Sequence, residues 1–196
     1  MNDSQTTVFT AFIGSKRLAS GPLDQVALAA KKALDRGARH PVLIYNDATG
    51  RAIDIDSRGS DAEVLARLAR PAPPSAPRGP GRPKLGVVAR EVTLLPRHWQ
   101  WLSTQPGGAS VAIRKLVETA RRTHQDSDRR RQNLEAAYHF MSAMAGDLPN
   151  FEEASRALFA NDRGRFTELI AAWPVDVRDH AVALAFGGAS VESPSS

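Results

Sequence analysis

TVFTAFIGSKRLA, residues 7–19, decides the fold class. Thr7 to Ile13 is dense in β-branched and aromatic residues, which pack well on a pleated surface, and Gly14-Ser15 offers a tight turn into Lys16 to Ala19. A hairpin therefore opens the chain. Pro22 suits the first turn of a helix running to about Arg36, in which Val26, Ala29, Ala30, Ala33 and Leu34 recur at helical spacing before Gly37 stops it. Val42 to Tyr45 reads as a buried strand, Asn46 to Gly50 as a turn, and Arg51 to Asp56 alternates as a half-exposed strand does. Ser60 caps a last helix carrying Val64, Leu65 and Leu68. The order ββαββα over residues 1–69 predicts a small antiparallel sheet with helices on one face, hence an α+β fold.

Downstream the character changes. PAPPSAPRGPGRPKLG, residues 71–86, holds six prolines in sixteen residues and reads as an extended linker. Past residue 124 the pattern is helical. Arg129 to Ala145 brings Leu134, Ala137, Tyr138, Met141 and Met144 to one face, with Asp126-Ser127-Asp128 as a loop and helix start before it. Asn150 followed by Glu153 has the spacing of a capping box for a helix holding Phe151, Ala154, Leu158 and Phe159, and Arg165 to Trp173 and Asp176 to Phe186 are two more helices. The expected organisation is an α+β domain at 1–69, a basic linker at 70–87, a strand-helix-helix segment at 88–123, a helical region at 124–187 and a tail at 188–196.

Composition narrows the chemistry. The chain has no cysteine, which excludes disulfides and thiolate metal sites. Its N-terminus lacks a signal-peptide pattern and no apolar run approaches the ~20 residues that span a bilayer, so a cytoplasmic location is expected. His40, His98, His124, His139 and His180 fall at no metal-binding spacing, no nucleophile motif occurs, and the Asp54/Asp56 pair reads as a solvent-facing strand edge. No catalytic residue, cofactor or metal is expected, and the protein is not read as an enzyme.

Charge is the functional signal. Residues 70–131 carry thirteen Lys/Arg against four Asp/Glu, a local +9, while the whole chain is +5. Residues 132–196 carry four basic and nine acidic side chains. A concentrated basic stretch beside neutral and acidic regions is an electrostatic footprint for a polyanion. Within it, Arg90 to Leu95 is a short β-type run ending at Pro96. A helix then fits Arg97 to Thr104, Pro106-Gly107-Gly108 breaks it, and Ser110 caps a second helix with Ile113, Leu116, Val117 and Ala120 on its apolar stripe. One strand and two short helices cannot bury a core alone, and suit half of an intertwined dimer.

Leu95-Pro96, Trp99, Leu102, Gly107-Gly108 and Ser110-Val111-Ala112-Ile113-Arg114 together resemble the ribbon-helix-helix DNA-binding fold over residues 88–122. The resemblance implies a homodimer whose paired strands enter the major groove and whose second helices meet phosphate with their first N–H groups. It implies a dimer core of Val92, Leu94, Trp99, Leu102, Ile113, Leu116 and Val117. The outward strand set is either Glu91 and Thr93 or Arg90, Val92 and Leu94. Leu94 departs from the family, which places a polar residue before its final Leu-Pro. Upstream, Pro80-Gly81-Arg82-Pro83-Lys84 resembles the Gly-Arg-Pro core of an AT-hook, which implies minor-groove contact. The DNA-binding set is then Arg82, Lys84, Arg90, Thr93, Ser110, Arg114 and Lys115. The phrases EVTLLPRHWQWL, GGASVAIRKLVE, NFEEASRALFANDRGRF and PVDVRDHAVALA resemble an uncharacterised bacterial family of unknown function.

The expected partner is double-stranded DNA, bound by a dimeric regulator or nucleoid-associated factor, with a protein partner possible through the helical C-terminal region. The other reading is an antitoxin-like or adaptor protein whose strand-helix-helix serves dimerisation only.

Overall fold

The computed structural model of the chain describes residues 7–69 and 90–187. These fall into two compact units, residues 7–69 with 128–187 and residues 90–127. No helix among the described residues is long and apolar enough to cross a membrane.

In the first unit β1 (Phe9–Ile13) and β2 (Lys16–Gly21) form the expected hairpin across Gly14-Ser15. α1 (Leu23–Asp35), β3 (Val42–Asn46), β4 (Arg51–Ile53) and α2 (Asp61–Leu68) follow. The order is ββαββα and the fold is α+β. The strands lie as β2-β1-β3-β4, each neighbour antiparallel. Alternation then divides β1 and β3 between two faces. Cross-strand partners Ala11 and Ile44 pack with Val26 and Ala30 of α1, whereas Phe12 and Tyr45 belong to a separate, larger core.

That second core corrects the expectation of helices on one face. α4 (Gly108–Met144), from residue 128 onward, and α5 (Phe151–Phe159), α6 (Arg163–Leu169) and α7 (Val175–Phe186) supply the rest of it. Leu134, Phe140, Met141, Leu158, Phe166, Ile170, Trp173 and Val177 share it with Phe12 and Tyr45. The sheet is thus apolar on both sides, which is why β3 reads Val-Leu-Ile-Tyr without a polar break. The edge strand β2 is tied down as well, since the Arg17 N–H donates to Asp176 Oδ2 at 2.9 Å at the start of α7.

A polar group is enclosed in the same unit. Thr10 Oγ1 donates to Asp47 Oδ2 at 2.9 Å and lies 3.0 Å from Ser20 Oγ, while His180 Nε2 of α7 stands 3.5 Å from Asp47 Oδ1. These residues come from three separate parts of the chain, the first hairpin, the end of β3 and α7, and join α7 to the sheet.

Local signals fared unevenly. Ser60 closes the capping box of α2: its Oγ accepts from the Glu63 N–H at 3.3 Å, and the Glu63 carboxylate accepts from the Ser60 N–H at 2.7 Å. The Ser60 N–H holds the Glu63 carboxyl below its ordinary range. Ser60→Ala is expected to cost about 1 kcal/mol of stability at neutral pH. Because the folded pKa of Glu63 is depressed, its share is present above the unfolded pKa and lost as pH falls. The Ser60 N–H survives this substitution and the lost bond from the Glu63 N–H does not titrate, so the gap between the thermal melts of the two proteins should narrow in acid without closing. Asn150, by contrast, makes no capping bond. It sits at φ 65° and its Nδ2 donates to Leu169 O at 3.2 Å, so its side chain links α5 to α6. Asp126-Ser127-Asp128 is not a loop but part of α4, where Asp128 pairs with Arg131 at 2.9 Å one turn on.

In the second unit residues 90–95 belong to no strand, and α3 (Pro96–Ser103) leads through a turn into α4. A ribbon strand has no ladder partner in a single copy, so none is assigned. Ser110 lies inside the first turn of α4 rather than capping it, because Gly107 and Gly108, both at positive φ, let the helix begin two residues earlier.

Candidate functional site

Residues 90–127 bury only Leu102 and Ala112. Their apolar side chains instead line an open groove of about 380 Å³, formed by Val92, Leu94, His98, Trp101, Leu102, Ile113, Leu116 and Val117. Six of the seven residues expected in a dimer core meet there. Trp99 does not. On a helix that starts at Pro96, positions 98, 101 and 102 fall on one stripe and position 99 lies about 100° away from position 98. Trp101 and His98 take the place that spacing to Leu102 suggests for Trp99; the i, i+3, i+4 pattern from His98 was the available signal.

The groove also sorts the extended segment. Val92 and Leu94 line it, while Glu91 and Thr93 are exposed. Arg90 is exposed at the start of this segment. Ser110, Arg114 and Lys115 are exposed on the first two turns of α4, where Arg114 Nε donates to Ser110 O at 3.1 Å. Arg82 and Lys84 lie outside the described residues.

Further along α4 the arginines are partly neutralised by their own helix. Arg121 and Arg122 each lie 3.1 Å from Glu118 Oε1, and Arg121 is the first cause of a Glu118 carboxyl held below its usual range. Such exposed pairs contribute little to stability. Arg129 and Arg130 make no ion pair among the described residues.

In the Asp54/Asp56 pair, Asp56 is already engaged by cationic side chains. It is 2.9 Å from Arg58 and 3.9 Å from Arg67, and hydrogen bonding from the Arg58 side chain holds its carboxyl well below the ordinary carboxylate range. No cluster of three or more metal-ligating side chains occurs among the described residues.

Residues 8–185 match a bacterial family described as "Uncharacterized protein conserved in bacteria (DUF2239)", and the chain belongs to that family. No curated protein and no solved structure matches it.

Proposed function

We propose that this chain is a duplex-DNA-binding protein that works as a homodimer, a transcriptional regulator or nucleoid-associated factor of the bacterial cytoplasm. The observation that carries the reading is the coincidence, within residues 70–131, of a +9 charge and an unfilled apolar groove. The charge suits phosphate and the groove suits association into a symmetric reader. Its proposed contacts are Arg90, Thr93, Ser110, Arg114 and Lys115 among the described residues, with Arg82 and Lys84 proposed as a minor-groove arm.

Fluorescence anisotropy with a labelled duplex across a salt series tests this. Affinity is expected to fall steeply and log-linearly with salt. Changing Arg114 and Lys115 together to Ala should lower the slope by about two, one for each phosphate that is no longer neutralised. Absence of binding at low salt rejects the reading.

A second reading is favoured by a specific observation, the leucine at position 94 just before Leu95-Pro96, which offers no hydrogen bond to a base edge. In it the segment is an association module of an adaptor or antitoxin-like protein, and the same duplex remains unbound at every salt concentration.

A further inference from the structure

We infer that a cleft in the first unit, between the turn after β3 and α4, binds a small dipolar molecule that joins an oxyanion to a hydroxyl or amino donor. The site lies outside residues 90–127 and stands whether or not the protein binds DNA.

The cleft is built by two elements locked together. Gln132, Glu135 and His139 recur at helical spacing and share one stripe of α4. Facing them is the turn from Asn46 to Arg51. Gly50 in that turn leaves no room for a side chain against the Ala136 carbonyl, so turn and helix meet backbone to backbone. Thr49 and Arg51 are thereby held across an open cleft of about 400 Å³ from Gln132, Glu135 and His139. That volume lies within the roughly 300–1,000 Å³ of small-molecule sites.

Its charges identify the ligand class. Arg51 and Glu135 line the same cleft, yet neither makes an ion pair among the described residues. Arg51 Nη2 donates instead to His139 Nε2 at 3.0 Å. A guanidinium only donates, so the imidazole accepts through an unprotonated nitrogen. The positive charge is thus oriented without being neutralised. An arginine fork fixed in this way matches a carboxylate or a phosphate group. Glu135 has the opposite preference and accepts from a hydroxyl or an ammonium group. One guanidinium and one carboxylate leave the lining neutral overall, and Glu135 repels a run of phosphates. The cleft therefore suits a single oxyanion on a donor-bearing body, and neither a nucleic-acid backbone nor a bare anion.

Amide NMR titrations of the full chain test the inference. Glycerol phosphate and serine serve as dipolar probes, inorganic phosphate as the bare oxyanion, and sodium chloride at matched ionic strength as the blank. At least one dipolar probe is expected to saturate below about 10 mM, with shifts centred on Thr49, Arg51, Gln132, Glu135 and His139. Saturation by glycerol phosphate alone assigns a phosphate, and by serine alone a carboxylate; either supports the site. Arg51→Gln should weaken that probe about 10–100-fold, as loss of a charge-assisted hydrogen bond does. Glu135→Gln should weaken it about 10-fold yet tighten inorganic phosphate, because it removes both an acceptor for the donor end and a repulsive charge. Both side chains are exposed, so the variants should melt with the wild type, and the wild-type titration stands without them. No saturation by either dipolar probe, shifts no larger than sodium chloride produces, or binding that Arg51→Gln leaves unchanged overturns the inference. Inorganic phosphate bound as tightly as the dipolar probes, with no effect of Glu135→Gln, overturns the ligand class. Duplex affinity that falls in Arg51→Gln would assign Arg51 to DNA and overturn the site, whereas failure to bind DNA at all would sink only the functional reading.

Discussion

Replacing Phe140 by alanine is expected to cost about 3–5 kcal/mol, the usual range for deleting a buried phenyl ring. Phe140 is fully buried, and its ring centroid lies 5.3 Å from Phe12, 5.0 Å from Tyr45 and 4.7 Å from His180. Those three partners belong to β1, β3 and α7, so one side chain of α4 touches both halves of the first unit. Its loss should weaken the sheet and the C-terminal helices together. Urea denaturation followed by far-ultraviolet circular dichroism and by tryptophan fluorescence, to which the buried Trp173 contributes, should show coincident transitions shifted to lower urea. Phe140→Leu, which keeps most of the volume, should cost about 1.5 kcal/mol or less. If Phe140→Ala costs less than Phe140→Leu is expected to, the sheet and the helices do not share a core.

That shared core marks the boundary between what the sequence discloses and what it does not. The hairpin at Gly14-Ser15, the stop at Gly37 and the Ser60 cap are local devices, each written in two to four adjacent residues, and they are legible. The cover over Phe12 and Tyr45 is not local, because its side chains begin 122 residues after Phe12, at Leu134. The signal for it was present all the same. A strand that reads Val-Leu-Ile-Tyr has no polar residue to turn to either face, although Leu43 itself stays partly exposed. The unbroken α4 was hidden for the opposite reason. Its middle is polar all round, and it is supported there by Glu118 with Arg121 and Arg122 and by Asp128 with Arg131, pairs one turn apart. At the candidate site, the apolar stripe Ile113, Leu116, Val117 could be seen from spacing alone. The choice between Trp99 and Trp101 was harder, because each shares a face with Leu102 at helical spacing, and only the i, i+3, i+4 set from His98 separates them.

Gly50→Ala is the sharpest test of how closely the first unit is packed, with an expected loss of about 3–4 kcal/mol made of a left-handed backbone penalty and a steric clash. Gly50 ends the turn after β3, with φ at 63° and its N–H donating to Asn46 O at 2.8 Å. A Cβ placed there would lie 1.7 Å from the carbonyl oxygen of Ala136 and 2.6 Å from its carbon. These are backbone atoms of α4, held by the helix ladder, and no rotamer change relieves them. Nearby, Arg51 Nη2 meets His139 Nε2 at 3.0 Å, so a turn pushed outward also breaks that hydrogen bond. Gly37→Ala supplies the control. Gly37 has φ at 75° but nothing within 4 Å of the added carbon, so it isolates the backbone penalty at about 1 kcal/mol. In a chain of this size each kcal/mol moves the melting temperature by about 2–4 °C. Gly50→Ala should therefore melt about 10 °C below the wild type and Gly37→Ala only a few degrees below. Equal shifts for the two variants would mean that the turn does not bear on α4, and that the helix closing the second face of the sheet stands further off than its approach to Gly50 requires.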